Sequence, residues 1–151
     1  MTTIANVRRP RKVLVAPDPG SFRDPKGTVY PDRDWVRRTV TGTAVDDFEF
    51  FRDSGLLADF TASGQIVAAD LDESVEAASF GSDVRYVLRH PRLPFISYPY
   101  EWSFSALKAA AILHLDLQLA AFDRDVVLSD ASAYNIQFVG ARPVFIDTLS
   151  F

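Results

Sequence analysis

LSDASAYNIQFVGARPVFIDTLSF, residues 128–151, holds two short apolar runs, Ile136–Val139 and Val144–Ile146, on either side of Gly140-Ala141-Arg142-Pro143. That is the pattern of an antiparallel hairpin closed by turn formers. Pairing across the turn brings Asn135, where the outgoing strand begins, beside Asp147, where the returning strand ends. Asp130 lies on the loop that feeds the hairpin. Hard divalent cations such as magnesium take carboxylate and amide oxygens and complete their shell with water or phosphate oxygens. Asn135 and Asp147 are therefore the candidate metal ligands, and Asp130 is left to orient a hydroxyl nucleophile. The alternative for Asp130 and Asn135 is turn chemistry, in which short polar side chains bond the neighbouring backbone.

Upstream of this stretch, Trp102–Phe122 contains no glycine or proline and is apolar on most sides, with Glu101, Ser105 and Lys108 as its main polar stripe. The spacing predicts a buried central helix capped by Glu101. Trp102, Phe104 and Tyr98 to Tyr100 are expected to pack in the core, and His114 to be a satisfied interior side chain. A short strand is expected at Val126–Leu128, between helix and hairpin.

Further upstream the chain changes character. Strands are predicted at Gln65–Leu71, Asp83–His90 and Phe95–Tyr98. One helix is predicted from an N-cap at Thr43, with Asp46 and Asp47 in its first turn, to Ser54-Gly55, followed by a helical turn at Leu56–Thr61. Thr28–Tyr30 and Trp35–Val40, split by Pro31-Asp32-Arg33-Asp34, read as another hairpin. Strand alternation puts Arg37 and Arg38 on opposite faces, so one arginine goes with whichever face is buried. Pro10, Pro17, Pro19 and Pro25 break residues 1–27, which are expected to be mostly irregular with one short strand at Val13–Ala16. The expected organisation is thus an irregular segment at 1–27, a strand-rich small lobe at 28–96, and a hinge, central helix and metal-site hairpin at 97–151.

Composition narrows the function classes. The 151 residues are 48% hydrophobic with a net charge of -4, enough to bury a core and too balanced to create a field that draws in nucleic acid or an anionic membrane. There is no cysteine, which excludes disulfides, thiolate metal sites and a cysteine nucleophile. The two histidines, His90 and His114, fall in unrelated elements, so neither a histidine triad nor a two-histidine metal site is supported. Without a signal-like N-terminus or an 18-residue apolar run, a cytoplasmic location is the expectation.

Two resemblances add to this reading. The spacing Asp130-x-x-x-x-Asn135 followed by Asp147, after a long apolar helix, resembles the catalytic loop and metal-binding aspartate of the protein-kinase-like fold, especially its aminoglycoside phosphotransferase branch. The resemblance implies an α+β, protein-kinase-like architecture with an incomplete large lobe. It also implies magnesium and ATP as cofactors, Asp130 as the hydroxyl-orienting aspartate and Asn135 and Asp147 as metal ligands. Arg37 or Arg38 would hold phosphates in place of a lysine, with Glu49 as their salt-bridge partner. The chain departs from that pattern at Leu128-Ser129 and Thr148-Leu149, and it lacks both a G-x-G-x-x-G loop and a lysine on the small-lobe strands. Secondly, SYPYEWSF, DASAYN and FIDTLSF within residues 93–151 resemble the N-terminal region of a bacterial, nodulation-protein-like family of class I SAM-dependent methyltransferases. This second resemblance implies a partner methyltransferase domain in longer proteins. S-adenosylmethionine itself is not expected to bind this chain, which shows no glycine-rich strand-to-helix turn. A nucleotide with a small-molecule acceptor, or a non-catalytic scaffold role beside a methyltransferase, are the two functional expectations; self-association through exposed apolar surface is a further one.

Overall fold

The computed structural model describes residues 16–151. The strand expected at Val13–Ala16 lies outside the described residues, except for Ala16, which is in coil. The fold mixes α and β. Its elements are β1 (Val29–Pro31), β2 (Trp35–Thr41), α1 (Val45–Asp53), α2 (Leu56–Ser63), β3 (Asp70–Leu71), β4 (Val84–Pro91), α3 (Phe104–Phe122), β5 (Ile136–Val139) and β6 (Arg142–Phe145).

β1 and β2 form the expected hairpin, with Tyr30 opposite Arg37. β4 then adds to β2, and β3 to β4, all antiparallel, giving a four-stranded sheet of order β1-β2-β4-β3. Gly27 admits no side chain where it approaches this sheet: a Cβ there would lie 1.8 Å from the carbonyl oxygen of Thr39. The two helices between β2 and β3 bury Phe48, Phe51, Leu56, Leu57 and Phe60. The expected threonine cap is absent. Ala44 is the N-cap of α1, and the Thr43 hydroxyl donates to the carbonyl of Pro25 (2.9 Å), fastening the N-terminal segment to the sheet.

The second sheet is the β5-β6 hairpin, closed by only two residues, Gly140 and Ala141, with Val139 opposite Arg142. Gly140 takes a left-handed φ of 63°, so Arg142 and Pro143 are released from the turn into the strand. This hairpin is docked by a parallel bridge between Ile66 and Phe145. The amide of Phe145 donates to Gln65 (2.8 Å), and the amide of Val67 to Phe145 (2.8 Å). Residues 65–69 therefore connect the sheets, and only Asp70–Leu71 of the expected Gln65–Leu71 strand joins the four-stranded ladder. The strands expected at Phe95–Tyr98 and Val126–Leu128 are irregular: Ser97 is held by side-chain bonds from Gln137, and the Leu128 amide donates to Gln118 Oε1, so neither needs a ladder partner.

α3 is capped by Ser103, whose hydroxyl accepts from the Ala106 amide (3.3 Å). Glu101 closes the preceding 3-10 turn instead, accepting from the Tyr98 amide (2.8 Å). The helix is buried along Ala110, Leu113, Leu117 and Ala121, where it meets β6, and exposed along its other side. It is thus only half of a core helix. Its 19 residues are long and apolar enough to cross a membrane by length and composition, but its buried side belongs to the core shared by both sheets. Trp102 follows expectation, half-buried with its ring edge-on to Phe138 at 5.0 Å, whereas Tyr98 and Tyr100, at the 3-10 turn, and Phe104, the first residue of α3, are exposed. The core closes on Phe151, which stacks on Phe51 at 4.2 Å and meets Phe145 edge-on.

Candidate functional site

A cleft of about 640 Å³ opens between β1, β2 and the end of β4 on one side and the loop 130–135 with residues 146–148 on the other. Its lining mixes apolar Val29, Val36, Val67, Leu93, Ile96 and Ile146 with polar Asp24, Arg38, His90, Asp130, Asn135 and Asp147, and Val29 lies directly opposite Arg38 in the β1–β2 register.

The loop places three of these residues by local hydrogen bonding. Asp130 Oδ1 accepts from the Ser132 amide (3.0 Å), and the Ser132 hydroxyl accepts from the Tyr134 amide (3.3 Å), so two consecutive side-chain turns shape the segment. Asn135 Nδ2 donates to the carbonyl of Asp130 (3.1 Å) and to the Ser150 hydroxyl (3.3 Å). Ser150 Oγ in turn donates to Asp147 Oδ2 (2.8 Å). With its NH2 committed inward, the Asn135 amide offers its oxygen as the acceptor still available on the cleft side. The turn reading and the convergent reading of Asp130 and Asn135 thus describe the same loop.

The two arginines separate as strand alternation requires. Arg37 lies on the far face, bound to Asp32 (2.8 Å) and to buried Asp72 (2.8 Å). Burial alone would raise the Asp72 carboxyl, but the Ser74 hydroxyl and Arg37 outweigh it and hold the group below the usual carboxylate range. Arg38 lines the cleft. Its Nη2 pairs with Asp24 and lies 3.6 Å from Asp147 Oδ1, while its Nε is buried with no hydrogen-bond partner among the described residues. A buried donor left unpaired costs roughly 1–3 kcal/mol.

Glu49 is not in the cleft. It accepts a hydrogen bond from the hydroxyl of Tyr86 on β4, further along the face that carries Arg38, and no ion pair joins it to either arginine among the described residues. Its expected role as the arginines' partner falls to Asp24 and Asp147 for Arg38, and to Asp32 and Asp72 for Arg37. Lys26, also outside the expected site, donates to the carbonyl of Leu149 (2.9 Å) and to Ser129 Oγ (3.3 Å), and so pins residues 147–150 to the loop.

Sequence reasoning missed two residues of this cleft. His90 is buried, and its Nδ1 donates to the carbonyl of Ala68 (2.9 Å); burial first, and Arg38 nearby, push its pKa down, so it is neutral. Its position opposite Val36 in the β2–β4 register follows once the sheet order is known, and that order is not written in local sequence. Asp24 lay in a segment read only as loop. The other histidine, His114, is half-buried with its Nε2 unpaired, edge-on to Phe145 at 5.5 Å, and is therefore not the satisfied group expected.

The donor set suits a cation brought in with its own ligands. Among the described residues no three His, Asp or Glu side chains cluster as a protein-only metal cage. One carboxylate and one amide oxygen facing a cleft match what magnesium takes from a protein when phosphates supply the rest.

Comparison with known proteins bears on origin. Among curated proteins the chain is similar to the nodulation protein NoeA of Rhizobium meliloti (strain 1021), with 44% identity over 152 residues. The similarity covers 97% of the chain and 31% of NoeA, so the chain spans about a third of that relative's length. No protein-family profile and no solved structure matches the chain.

Proposed function

We propose that the cleft binds a magnesium–nucleotide complex and that the fold is a reduced protein-kinase-like one. The observation that carries this reading is the convergence of Arg38 and the linked trio Asp130, Asn135 and Asp147 on one cleft that also has apolar side chains in its lining. The apolar side chains of the lining suit a base, and Arg38 suits phosphates. The antiparallel order β1-β2-β4-β3 with helices inserted after β2, then α3, a polar loop and a hairpin, supports the kinase-like part of the reading.

If the site turns over, the reaction is transfer of the γ-phosphoryl group of ATP to a small-molecule hydroxyl, with ADP leaving. Asp130 accepts the hydroxyl proton as the oxygen attacks phosphorus, and Arg38 neutralises non-bridging oxygens from the opposite wall. Magnesium held by Asn135 Oδ1 and Asp147 would supply charge neutralisation at the bridging phosphate oxygens. Ser150 keeps Asp147 aimed, and the loop turns keep Asp130 in place, so catalysis is mainly positioning.

A second reading is favoured by one contact. Asp24 and Asp147 already surround Arg38 Nη2, an arrangement that also suits a cleft permanently closed to phosphate and a non-catalytic, scaffolding module beside a methyltransferase domain in longer, cytoplasmic proteins. Thermal-shift titration separates the two. Stabilisation by Mg-ATP that S-adenosylmethionine does not reproduce, and that disappears in Asp147→Ala, is the result expected for a nucleotide site. No shift with Mg-ATP at millimolar concentration assigns the scaffold.

A further inference from the structure

The largest unexplained feature lies away from the cleft, on the outward side of α3. Ile112 (48% exposed), Leu115 (63%), Leu119 (64%) and Phe122 (56%) follow one another at spacings of three, four and three residues, forming a straight apolar seam. The opposite side, Ala110, Leu113, Leu117 and Ala121, is buried in the core. A surface helix ordinarily carries charge opposite its buried stripe, and a helix apolar on both sides is one that is covered on both sides. The 3-4-3 spacing is that of residues that interlock with a second helix.

We infer that this seam is an interface for an apolar-faced helix belonging to the additional chain that longer relatives carry. Two observations choose that occupant. The relative NoeA is 44% identical across nearly the whole of this chain, yet the chain accounts for 31% of its length, so some two-thirds of such a protein is further polypeptide that must pack somewhere. The seam is also bounded by exposed Lys108 one turn before Ile112 and flanked by exposed Asp116 and Asp123, a mixed set of charges of the kind that forms the polar rim of a protein interface. This inference does not depend on nucleotide binding in the cleft.

The absence of cysteine from this sequence makes the test clean. Leu119→Cys is introduced into the 151-residue chain and, at the aligned position, into full-length NoeA; maleimide labelling rates are measured under native conditions, with a cysteine at exposed Asp83 as the reactive reference. The expected result is a Leu119→Cys thiol that labels as fast as the reference in the short chain and at least 10-fold slower in the full-length protein. A photo-crosslinker at the same position is then expected to join a peptide from outside the matched third of the same molecule. Equal labelling in both proteins overturns the inference. So does protection in the short chain that grows with its concentration, which assigns the seam to a second copy, or protection that needs phosphatidylglycerol vesicles, which assigns it to a membrane.

Discussion

Arg38 carries more of the functional reading than any other residue. Its guanidinium faces two carboxylates through one nitrogen and, among the described residues, no acceptor through Nε. Arg38→Ala is expected to weaken Mg-ATP binding about 10- to 100-fold, the equivalent of one lost charge-assisted hydrogen bond, as measured by isothermal titration calorimetry. Arg37 makes the internal control, because its partner Asp72 is buried on the far face of the same strand. Asp72→Ala should leave nucleotide affinity unchanged while lowering the stability to urea by about 1–3 kcal/mol, because Arg37 keeps Asp32 but loses its buried partner. His90 gives a pH signature. Its folded pKa is depressed, so the stability tied to its neutral form is present above the unfolded value near 6.5 and is lost as pH falls below that value toward the folded one. Chemical denaturation between pH 7 and 5 should show this loss, and His90→Asn should flatten it. The carboxylates and the amide were legible in the sequence because their spacing encodes a turn-and-hairpin geometry. The choice between Arg37 and Arg38, the misplaced Glu49 and the unnoticed Asp24 were not, since each depends on which strand face meets which distant segment.

At the scale of elements, local signals decided what local forces decide. The Thr28–Val40 hairpin, the helix after Thr43 and the closing hairpin all follow from turn residues and alternation that no tertiary contact overrides. The short segments behaved differently. Gln65–Leu71 has strand-like composition, but its first residues are recruited by Phe145 into a single parallel bridge, a contact eighty residues away in sequence that composition does not reveal. The closing aromatic cluster is the corresponding energetic feature: Phe151 stacks on Phe51 of α1 and meets Phe145 of β6 edge-on, so one side chain ties residues 147–151 to both layers. Phe151→Ala is expected to cost about 3–4 kcal/mol by differential scanning calorimetry or urea denaturation, and to loosen Asp147 with it. Gly27→Ala should disrupt the β1–β2 hairpin, because the added methyl meets a backbone carbonyl that cannot retreat.

For the molecule as a whole, one core links the four-stranded sheet, the two small helices, one side of α3 and the hairpin, and the cleft is the gap left where these layers part. The sequence indicated a central helix but not its half-exposure: an apolar composition states that both sides want cover, not what supplies it. The central claim, that the cleft takes a magnesium–nucleotide complex, is tested most directly by electron paramagnetic resonance of manganese, a magnesium substitute, titrated into the protein with and without a non-hydrolysable ATP analogue. The expected result is one ion bound only when the analogue is present, and lost in Asp147→Ala and Asn135→Ala while Asp72→Ala retains it. Manganese that remains free in the presence of the analogue, or stays bound in Asp147→Ala, contradicts the claim.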